Sequence, residues 1–184
     1  MDEYVDILDE NGNYTGKALL KSEAHAKGLF HPTVHVWFYT TGGKVLLQKR
    51  SLQKDTFPGY WDVSVAGHIG AGEAPLTSAL RETEEELGLH ISEESLKKIG
   101  VSKSVKKHRN NLTDCEFHHI YISRLTTPLN QLKLQKSEVD DIKLIAIEDF
   151  LSNIREPSST RYVILSPDYY KLVFGAIKER LKQH

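Results

Sequence analysis

The sequence predicts an α/β fold that is rich in strands and contains few helices. Several short runs alternate apolar and polar residues and are rich in β-branched and aromatic types, as half-buried strands are. Fewer segments repeat apolar residues at the spacings of three and four that place them on one face of a helix. With 184 residues, of which 39% are hydrophobic, the chain can bury one core, which predicts a single domain over residues 1–184.

The first half of the chain is dominated by predicted strands. A polar turn separates the first two strands and predicts an N-terminal hairpin, and a Gly-Gly pair predicts a second hairpin. Residues 49–60 carry charge, proline and glycine and are predicted to form a loop, as are the glycine-bearing residues 67–72. The predicted strands of this half cover residues 4–8, 14–20, 33–41, 44–48 and 61–66.

A helix is predicted over residues 75–87. Pro75 suits its first turn, where the missing amide hydrogen is not needed, and Gly88 suits the position just past its end. Its apolar face consists of Leu76, Ala79, Leu80, Thr83 and Leu87. A different face carries Glu82, Glu85 and Glu86.

The second half contains further strands and two helices. The predicted strands cover residues 96–107, 116–125 and 142–147, and the first two are joined through His108, Arg109, Asn110 and Asn111. A short helix is predicted over residues 148–154 and an amphipathic helix over residues 168–182.

Composition and charge disfavour several classes of partner. The formal net charge is −1, from 24 basic and 25 acidic residues, so no overall field favours nucleic acid or a membrane surface. No apolar run approaches the roughly 20 residues that span a bilayer, and the N-terminus lacks the pattern of a signal peptide. Cys115 is the single cysteine and cannot form an internal disulfide. These features predict a soluble, cytoplasmic protein.

The three helix glutamates have the character of a metal site. Glu82, Glu85 and Glu86 stand at positions i, i+3 and i+4, so they project to one side and repel one another without a cation. Magnesium prefers such oxygen ligands together with substrate phosphates. The glycine-bearing loop before the helix lets the backbone approach a metal or phosphate closely. Arg81 can hold a carboxylate, such as that of Glu73, through two hydrogen bonds and so orient it.

A glutamate-rich helix alone is typical of a solvated face, but the complete spacing is far more specific. It reads Gly67, five residues, Glu73, seven residues, Arg81-Glu82, two residues, Glu85-Glu86, one residue, Gly88 and the apolar Leu89. Such a match arises by chance on the order of 10⁻⁸ per start position. This pattern resembles the Nudix box, and the chain is identified as similar to the Nudix family. Thr83 stands where the family has an aliphatic residue, and its methyl group can pack on the buried face.

The Nudix resemblance implies an α/β/α sandwich around a mixed sheet. It also implies that Glu82, Glu85 and Glu86 bind magnesium, with manganese as a substitute, and that the Gly67 carbonyl assists. A glutamate would activate the attacking water. We favour Glu82 as this base, and Glu116 is its main competitor as base or additional ligand.

Further motifs resemble the isopentenyl-diphosphate isomerase-like branch of the group. They are Phe30-His31, Leu46 to Arg50, Phe57 to Asp62 and Val65 to His68. In the true isomerases a cysteine precedes the Gly-His pair, and here Ala66 stands in its place and cannot transfer a proton. The histidines that resemble a further metal site of the isomerases are His25, His31 and His68, with ordinary hydrogen-bonded histidines as the alternative.

The same resemblance matches Arg50 and Lys54 to basic positions that meet the diphosphate. Trp61 could stack on a substrate base, although aromatic residues beside strands are commonly part of a core. Surface charge is likewise the alternative for the two basic residues.

Three functions remain open from the sequence. The leading hypothesis is hydrolysis of a small-molecule diphosphate, above all a nucleoside diphosphate derivative. Isomerase activity is the second, and Ala66 argues against it. A nucleotide-sensing module without turnover is the third, and the intact glutamates argue against that. The oligomeric state is left open, with a homodimer among the alternatives.

Overall fold

The computed structural model describes residues 2–108, 112–155 and 161–183, in which nine strands and four α-helices are present. The strands are β1 (Tyr4–Leu8), β2 (Tyr14–Leu20), β3 (Phe30–Tyr39), β4 (Lys44–Arg50), β5 (Trp61–Asp62), β6 (Val65–His68), β7 (Lys97–Lys107), β8 (Thr113–Arg124) and β9 (Val139–Ala146). The helices are α1 (Lys21–Lys27), α2 (Pro75–Leu87), α3 (Ile147–Arg155) and α4 (Pro167–Lys182). Short 3₁₀ turns cover Glu93–Ser95 and Leu129–Gln131. Arg109, Asn110 and Asn111, part of a predicted connection, lie outside the described residues.

Strand β3 is the centre of the sheet. It pairs in parallel with β8 over ten residues and antiparallel with β6 over four. The predicted N-terminal hairpin of β1 and β2 is confirmed. The second predicted hairpin is confirmed only at its turn, because β3 and β4 pair at Tyr39 and Val45 alone and β4 then pairs with β9. Local turn signals could not show that a distant strand, β8, would occupy the edge of β3.

The α/β/α sandwich is confirmed by the two cores on opposite faces of the sheet. Because side chains alternate along a strand, Trp37 and Tyr39 pack with α3 and α4, whereas Val36 and Phe38 pack on the side of α2. Phe150 and Phe174 lie in the first core, and Ala79 and Leu87 lie in the second. The sheet is therefore covered by helices on both faces.

Helix α2 has the predicted bounds, with Pro75 in its first turn and Gly88 in the left-handed conformation at φ 62°. Helix α1 was not predicted, since its seven residues are too few to show a clear period. The predicted strand over residues 61–66 is split into β5 and β6. Ser64, between them, accepts a hydrogen bond from the Phe38 N–H and donates one to the Leu46 carbonyl. Among the described residues, no helix is long and apolar enough to cross a membrane.

Candidate active site

A polar cavity of about 340 Å³ opens where α2, β3, β6 and β8 meet, and we call it the central cavity. It brings together side chains from most parts of the chain. Residues that line it include Lys21, His25, Thr33, His35, Arg50, Lys54, Asp62, Gly67, His68, Arg81, Glu82, Glu85, Glu86, Asp114, Glu116 and His118.

The predicted metal-binding residues of α2 all line this cavity. Glu82 and Glu86 are buried, with 8% and 3% of their surface exposed, whereas the side chain of Glu85 is about half exposed. The two buried residues are four positions apart, so both point from α2 toward β6. A carboxylate oxygen of Glu86 accepts hydrogen bonds from Gln48 Nε2 at 2.7 Å and from the Ala66 N–H at 3.3 Å.

Gly67 is required by the position of Glu82. A Cβ atom on Gly67 would lie 2.5 Å from Glu82 Oε1 and nearer still to Cδ, which is closer than real Cβ contacts. The missing side chain therefore lets the carboxyl group of Glu82 rest directly on the backbone of β6. This contact holds the Glu82 carboxyl group against the backbone of Gly67.

Burial disfavours the charged forms of the two inner carboxyl groups, those of Glu82 and Glu86. Desolvation raises the pKa of Glu82 to about 7, although Arg81 opposes the shift. Desolvation and repulsion by Glu82 raise the pKa of Glu86 to about 8. A cation bound between them would lower both pKa values, because it favours the charged forms that burial disfavours.

Arg81 organises the acidic side chains around it. Its Nε and one terminal nitrogen donate to the two oxygens of Glu73 at 3.1 and 3.0 Å, the bidentate pair that the sequence predicted. The other terminal nitrogen donates to Glu82 at 2.7 Å and to Glu85 at 3.3 Å. A further bond to the His68 carbonyl at 3.1 Å ties α2 to the end of β6. Arg81 therefore orients Glu82 and Glu85. These two residues and Glu86 are named the box carboxylates.

A second group, the histidine cluster, consists of His25, His31, His68 and Glu116. The Nε2 atom of His25 lies 3.1 Å from that of His31 and 3.3 Å from that of His68. One carboxylate oxygen of Glu116 lies 3.7 and 3.6 Å from His31 and His68. One ligand atom from each of the four residues lies within 4.8 Å of every other, a separation that a single metal ion can bridge.

Hydrogen bonding prepares the histidine cluster for a cation. His31 Nδ1 lies 2.9 Å from the Leu29 carbonyl and donates its proton there, which leaves a lone pair on Nε2. Burial opposes ionisation of Glu116, but the surrounding imidazoles of His31, His118 and His68 hold its pKa well below the usual range. Glu116 is thus a carboxylate at neutral pH. It lies beside the converging imidazole nitrogens of the histidine cluster.

Asp114 supports this cluster and was missed by the sequence reasoning. Its Oδ2 accepts a hydrogen bond from His108 Nε2 at 2.7 Å, while its buried Oδ1 has no hydrogen-bond partner among the described residues and lies 3.9 Å from His25 Nδ1. The signal was its spacing of two from Glu116, since residues i and i+2 of a strand share a face.

The predicted substrate-binding residues divide into two groups. Arg50 and Lys54 line the cavity, but their charges are already paired. Arg50 donates to the Thr56 carbonyl and to Asp62, and Lys54 bonds to Glu138.

Trp61 is not brought together with the other predicted site residues. It packs at the edge of the core, with Lys143 Nζ 4.0 Å from its ring centroid, and does not line the cavity. Its prediction as a residue that stacks on substrate is therefore not supported, because a lysine already covers the ring.

The position of the isomerase cysteine is occupied by a residue without proton-transfer chemistry. Ala66 lies on β6 opposite His35, and its N–H donates to Glu86. Cys115 is buried on β8 between Phe30 and Val105 and does not line the cavity. The described cavity therefore has no thiol lining.

Comparisons with known proteins identify the family of this chain. The family model described as the NUDIX domain matches residues 29–165. A Nudix hydrolase from Arabidopsis thaliana is 38% identical over 186 residues, 97% of this chain, and the chain spans only 24% of the length of that plant protein. An isopentenyl-diphosphate Delta-isomerase from Streptomyces avermitilis is 33% identical over 126 residues, 68% of this chain and 63% of the isomerase.

The fold is also similar to that of a solved structure. The crystal structure of DR0079 from Deinococcus radiodurans has a TM-score of 0.70 at 20% identity, and the match covers 93% of this chain and 97% of the other. The predicted similarity to both Nudix hydrolases and isomerases is thereby confirmed. With its complete box and with alanine at the cysteine position, this chain belongs to the Nudix family and is a Nudix hydrolase.

Proposed function

We propose that this protein hydrolyses a diphosphate bond in a nucleoside diphosphate derivative, with magnesium as its cofactor and manganese as a substitute. The observation that carries the proposal is the burial of Glu82 and Glu86, two carboxyl groups with raised pKa values, against the backbone of Gly67. Such an arrangement is costly without a cation and is well suited to one.

The donor set supports magnesium. Glu82, Glu85, Glu86 and the Gly67 carbonyl supply only oxygen atoms, which a small hard cation prefers, and Glu85 remains accessible from solvent. When bound, the cation would neutralise phosphate charge and make water more acidic. The chain itself supplies the framework, because Arg81 holds Glu82 and Glu85 in place from one side while Gln48 and the Ala66 N–H hold Glu86 from the other.

Glu82 remains our proposed general base. In the metal-free protein burial raises its pKa to about 7, so its carboxylate is more basic than that of an exposed glutamate, and Arg81 holds it in the cavity lining. Glu116, the competitor, is held ionised by imidazoles, which lowers its basicity, and it belongs to the histidine cluster. We therefore propose that Glu116 acts as a ligand or positions substrate.

We also propose that the histidine cluster binds a second metal ion. Three imidazole nitrogens and one carboxylate form a mixed donor set that suits zinc, manganese or a neighbouring transition metal better than magnesium. The convergence of three Nε2 atoms supports this over three independent hydrogen-bonded histidines, because neutral nitrogens cannot all be donor and acceptor to one another.

Some earlier predictions remain proposals. A single domain over residues 1–184 and a cytoplasmic location stay predictions, as do Arg50 and Lys54 as diphosphate contacts. For Lys54 this requires release of Glu138, which is partly exposed and can move. A homodimer remains an alternative to a monomer.

The proposal is tested by incubating the purified protein with magnesium and separate nucleoside diphosphates, nucleoside triphosphates, nucleotide sugars and prenyl diphosphates. We expect cleavage products from a nucleoside diphosphate derivative and their loss in Glu86→Gln. The matched control is Glu84→Gln, which changes an exposed carboxylate on the same helix. A rearranged prenyl product would establish the isomerase instead, and tight nucleotide binding without any product would establish the sensor.

A further inference from the structure

Two stacked histidines in the central cavity are not used by either metal site. His35 on β3 and His118 on β8 have ring centroids 4.0 Å apart and ring planes 17° from parallel. Both line the cavity, and they are 7% and 2% exposed. Buried imidazoles ordinarily have hydrogen-bond partners for both nitrogens. A ring nitrogen without a protein partner therefore indicates which kind of ligand group, donor or acceptor, could bind there.

The hydrogen bonds of His35 indicate which of its nitrogens carries the proton. Trp37 Nε1 donates to the hydroxyl oxygen of Tyr169 at 2.8 Å, and His35 Nδ1 lies 2.8 Å from the same oxygen. Since Tyr169 already accepts from Trp37, its own proton is best used by donation to His35 Nδ1. A neutral His35 then carries its proton on Nε2, which makes this nitrogen a donor.

His118 has the opposite arrangement. Its Nδ1 lies 2.7 Å from Thr33 Oγ1 and 3.6 Å from a carboxylate oxygen of Glu116, and a nearby carboxylate favours a proton on Nδ1. Its Nε2 is then an acceptor, and this buried atom has no partner among the described residues. An unpaired acceptor of this kind is costly to cover with hydrocarbon.

Other residues that line the cavity supply apolar and aromatic surface. Val163 and Leu165 line it, and Phe57 lines it in the left-handed region at φ 50°. That conformation is strained for a bulky residue and is held where Arg50 donates to the Thr56 carbonyl. A flat ring with polar edges fits such a lining better than a wholly apolar chain does.

We propose that His35 and His118 recognise the nucleoside part of the substrate through one donor and one acceptor, and thereby discriminate against prenyl diphosphates. The nucleoside supplies a neighbouring donor and acceptor, on its base or its sugar, that pairs with both nitrogens. A prenyl chain would leave the His118 nitrogen unpaired. This inference rests on the proposed function and adds the residues that would select the nucleoside.

The test compares binding of ADP, CDP, GDP and UDP with binding of isopentenyl diphosphate, by calorimetry with calcium in place of magnesium so that no turnover accompanies binding. His118→Phe keeps a flat ring against His35 but removes both nitrogens. We expect it to weaken binding of the preferred nucleoside diphosphate by about 10- to 100-fold and to leave binding of isopentenyl diphosphate unchanged or tighter. His118→Asn, which returns polar atoms, should recover part of the loss. The matched control is His90→Phe, since His90 is exposed on the surface.

The outcomes separate this inference from the proposed function. Equal weakening of both ligand classes, or no change in either, overturns the inference even if hydrolysis is established. A wild-type protein that binds isopentenyl diphosphate more tightly than all four nucleotides also overturns it. If His118→Phe unfolds, His118→Asn is compared with the wild type instead. A lower ratio of nucleoside diphosphate affinity to isopentenyl diphosphate affinity in this variant supports the inference, and an unchanged ratio overturns it. Selective weakening supports recognition even when no compound is cleaved, because binding is measured without turnover.

Discussion

The box carboxylates and the histidine cluster lie in one cavity but are assembled differently. The box carboxylates all stand on α2, within five consecutive positions, and helical geometry alone brings them to one side. The histidine cluster takes one residue from each of α1, β3, β6 and β8. A local motif therefore specifies the first group, whereas the second exists only because the sheet brings four separate segments together.

The electrostatics of the two groups differ in the same way. Desolvation raises the pKa values of Glu82 and Glu86, so the charge of Arg81 alone does not balance the first group. In the second group imidazoles surround Glu116 and hold its pKa low. The first group thus suits an added hard cation, and the second suits a metal that accepts nitrogen as well as oxygen.

The largest expected effect is on kcat, and it distinguishes Glu82 from Glu116 as the general base. Glu82→Gln should lower kcat by about 10³-fold or more, because it removes a proposed magnesium ligand and the proton acceptor together. Glu116→Gln should lower kcat by less than about 10²-fold. Steady-state product formation in saturating magnesium measures both, with Glu84→Gln as the unchanged control. A larger loss for Glu116→Gln would reverse the assignment.

The next effect tests whether the second group binds a metal. His31→Asn removes one of the converging nitrogens and should weaken cobalt or zinc binding about 10²-fold, whereas Glu85→Gln should leave it nearly unchanged. Titration with Co²⁺, followed by its visible absorption, measures the affinity directly. His90→Asn serves as the control for loss of an exposed imidazole. Unchanged cobalt binding in His31→Asn would show that the cluster is held by hydrogen bonds alone.

A smaller effect tests the close approach of α2 to β6. Gly67→Ala should destabilise the fold by about 2 kcal/mol, because the new methyl group overlaps the carboxyl group of Glu82. Gly175→Ala is the matched control, since its methyl group meets no atom within 4 Å and an alanine favours the helix by roughly 0.5–1 kcal/mol. Urea unfolding measures both changes. A neutral Gly67→Ala would show that Glu82 moves away freely.

The smallest effect is a pH dependence of the metal-free protein. The folded state keeps protons on Glu82 and Glu86 above pH 4.5, where the unfolded chain releases them, because burial raises both pKa values. The buried histidines, whose pKa values are lowered, oppose this effect below about pH 7 but are neutral in both states above pH 7.5. The free energy of unfolding should therefore fall by about 0.5–1 kcal/mol as pH rises from 7.5 to 9.

Two controls sharpen this pH prediction. Urea unfolding in EDTA should show a weaker pH dependence for Glu86→Gln than for the wild type, since the variant has one less group with a raised pKa. Magnesium should offset the loss of stability at pH 8, because it binds the ionised carboxylates of the folded state. Stability that rises between pH 7.5 and 9 in the metal-free wild type would contradict the assigned direction.

The sequence by itself determined the α/β class, the bounds of α2 and the box carboxylates. These features depend on neighbours within a few residues, whose spacing and capping follow directly from helical geometry. The sequence also predicted that Arg81 pairs with Glu73 or a neighbouring helix glutamate, since all of them belong to the same loop and helix, and the structure shows bonds to both kinds of partner. Where chemistry is carried by one contiguous segment, the primary structure was sufficient.

Only the tertiary structure decided the partners of β3, the support from Gln48 and Asp114, and the pairing of His35 with His118. It also placed Trp61 beneath Lys143 and outside the central cavity. The pairing of His35 with His118 depends on the parallel pairing of β3 with β8, which joins segments about 85 residues apart. Trp61 and Lys143 meet because β4 pairs with both β5 and β9. Local periodicity carries no information on which distant strand occupies an edge, because that choice is made by packing of the whole sheet.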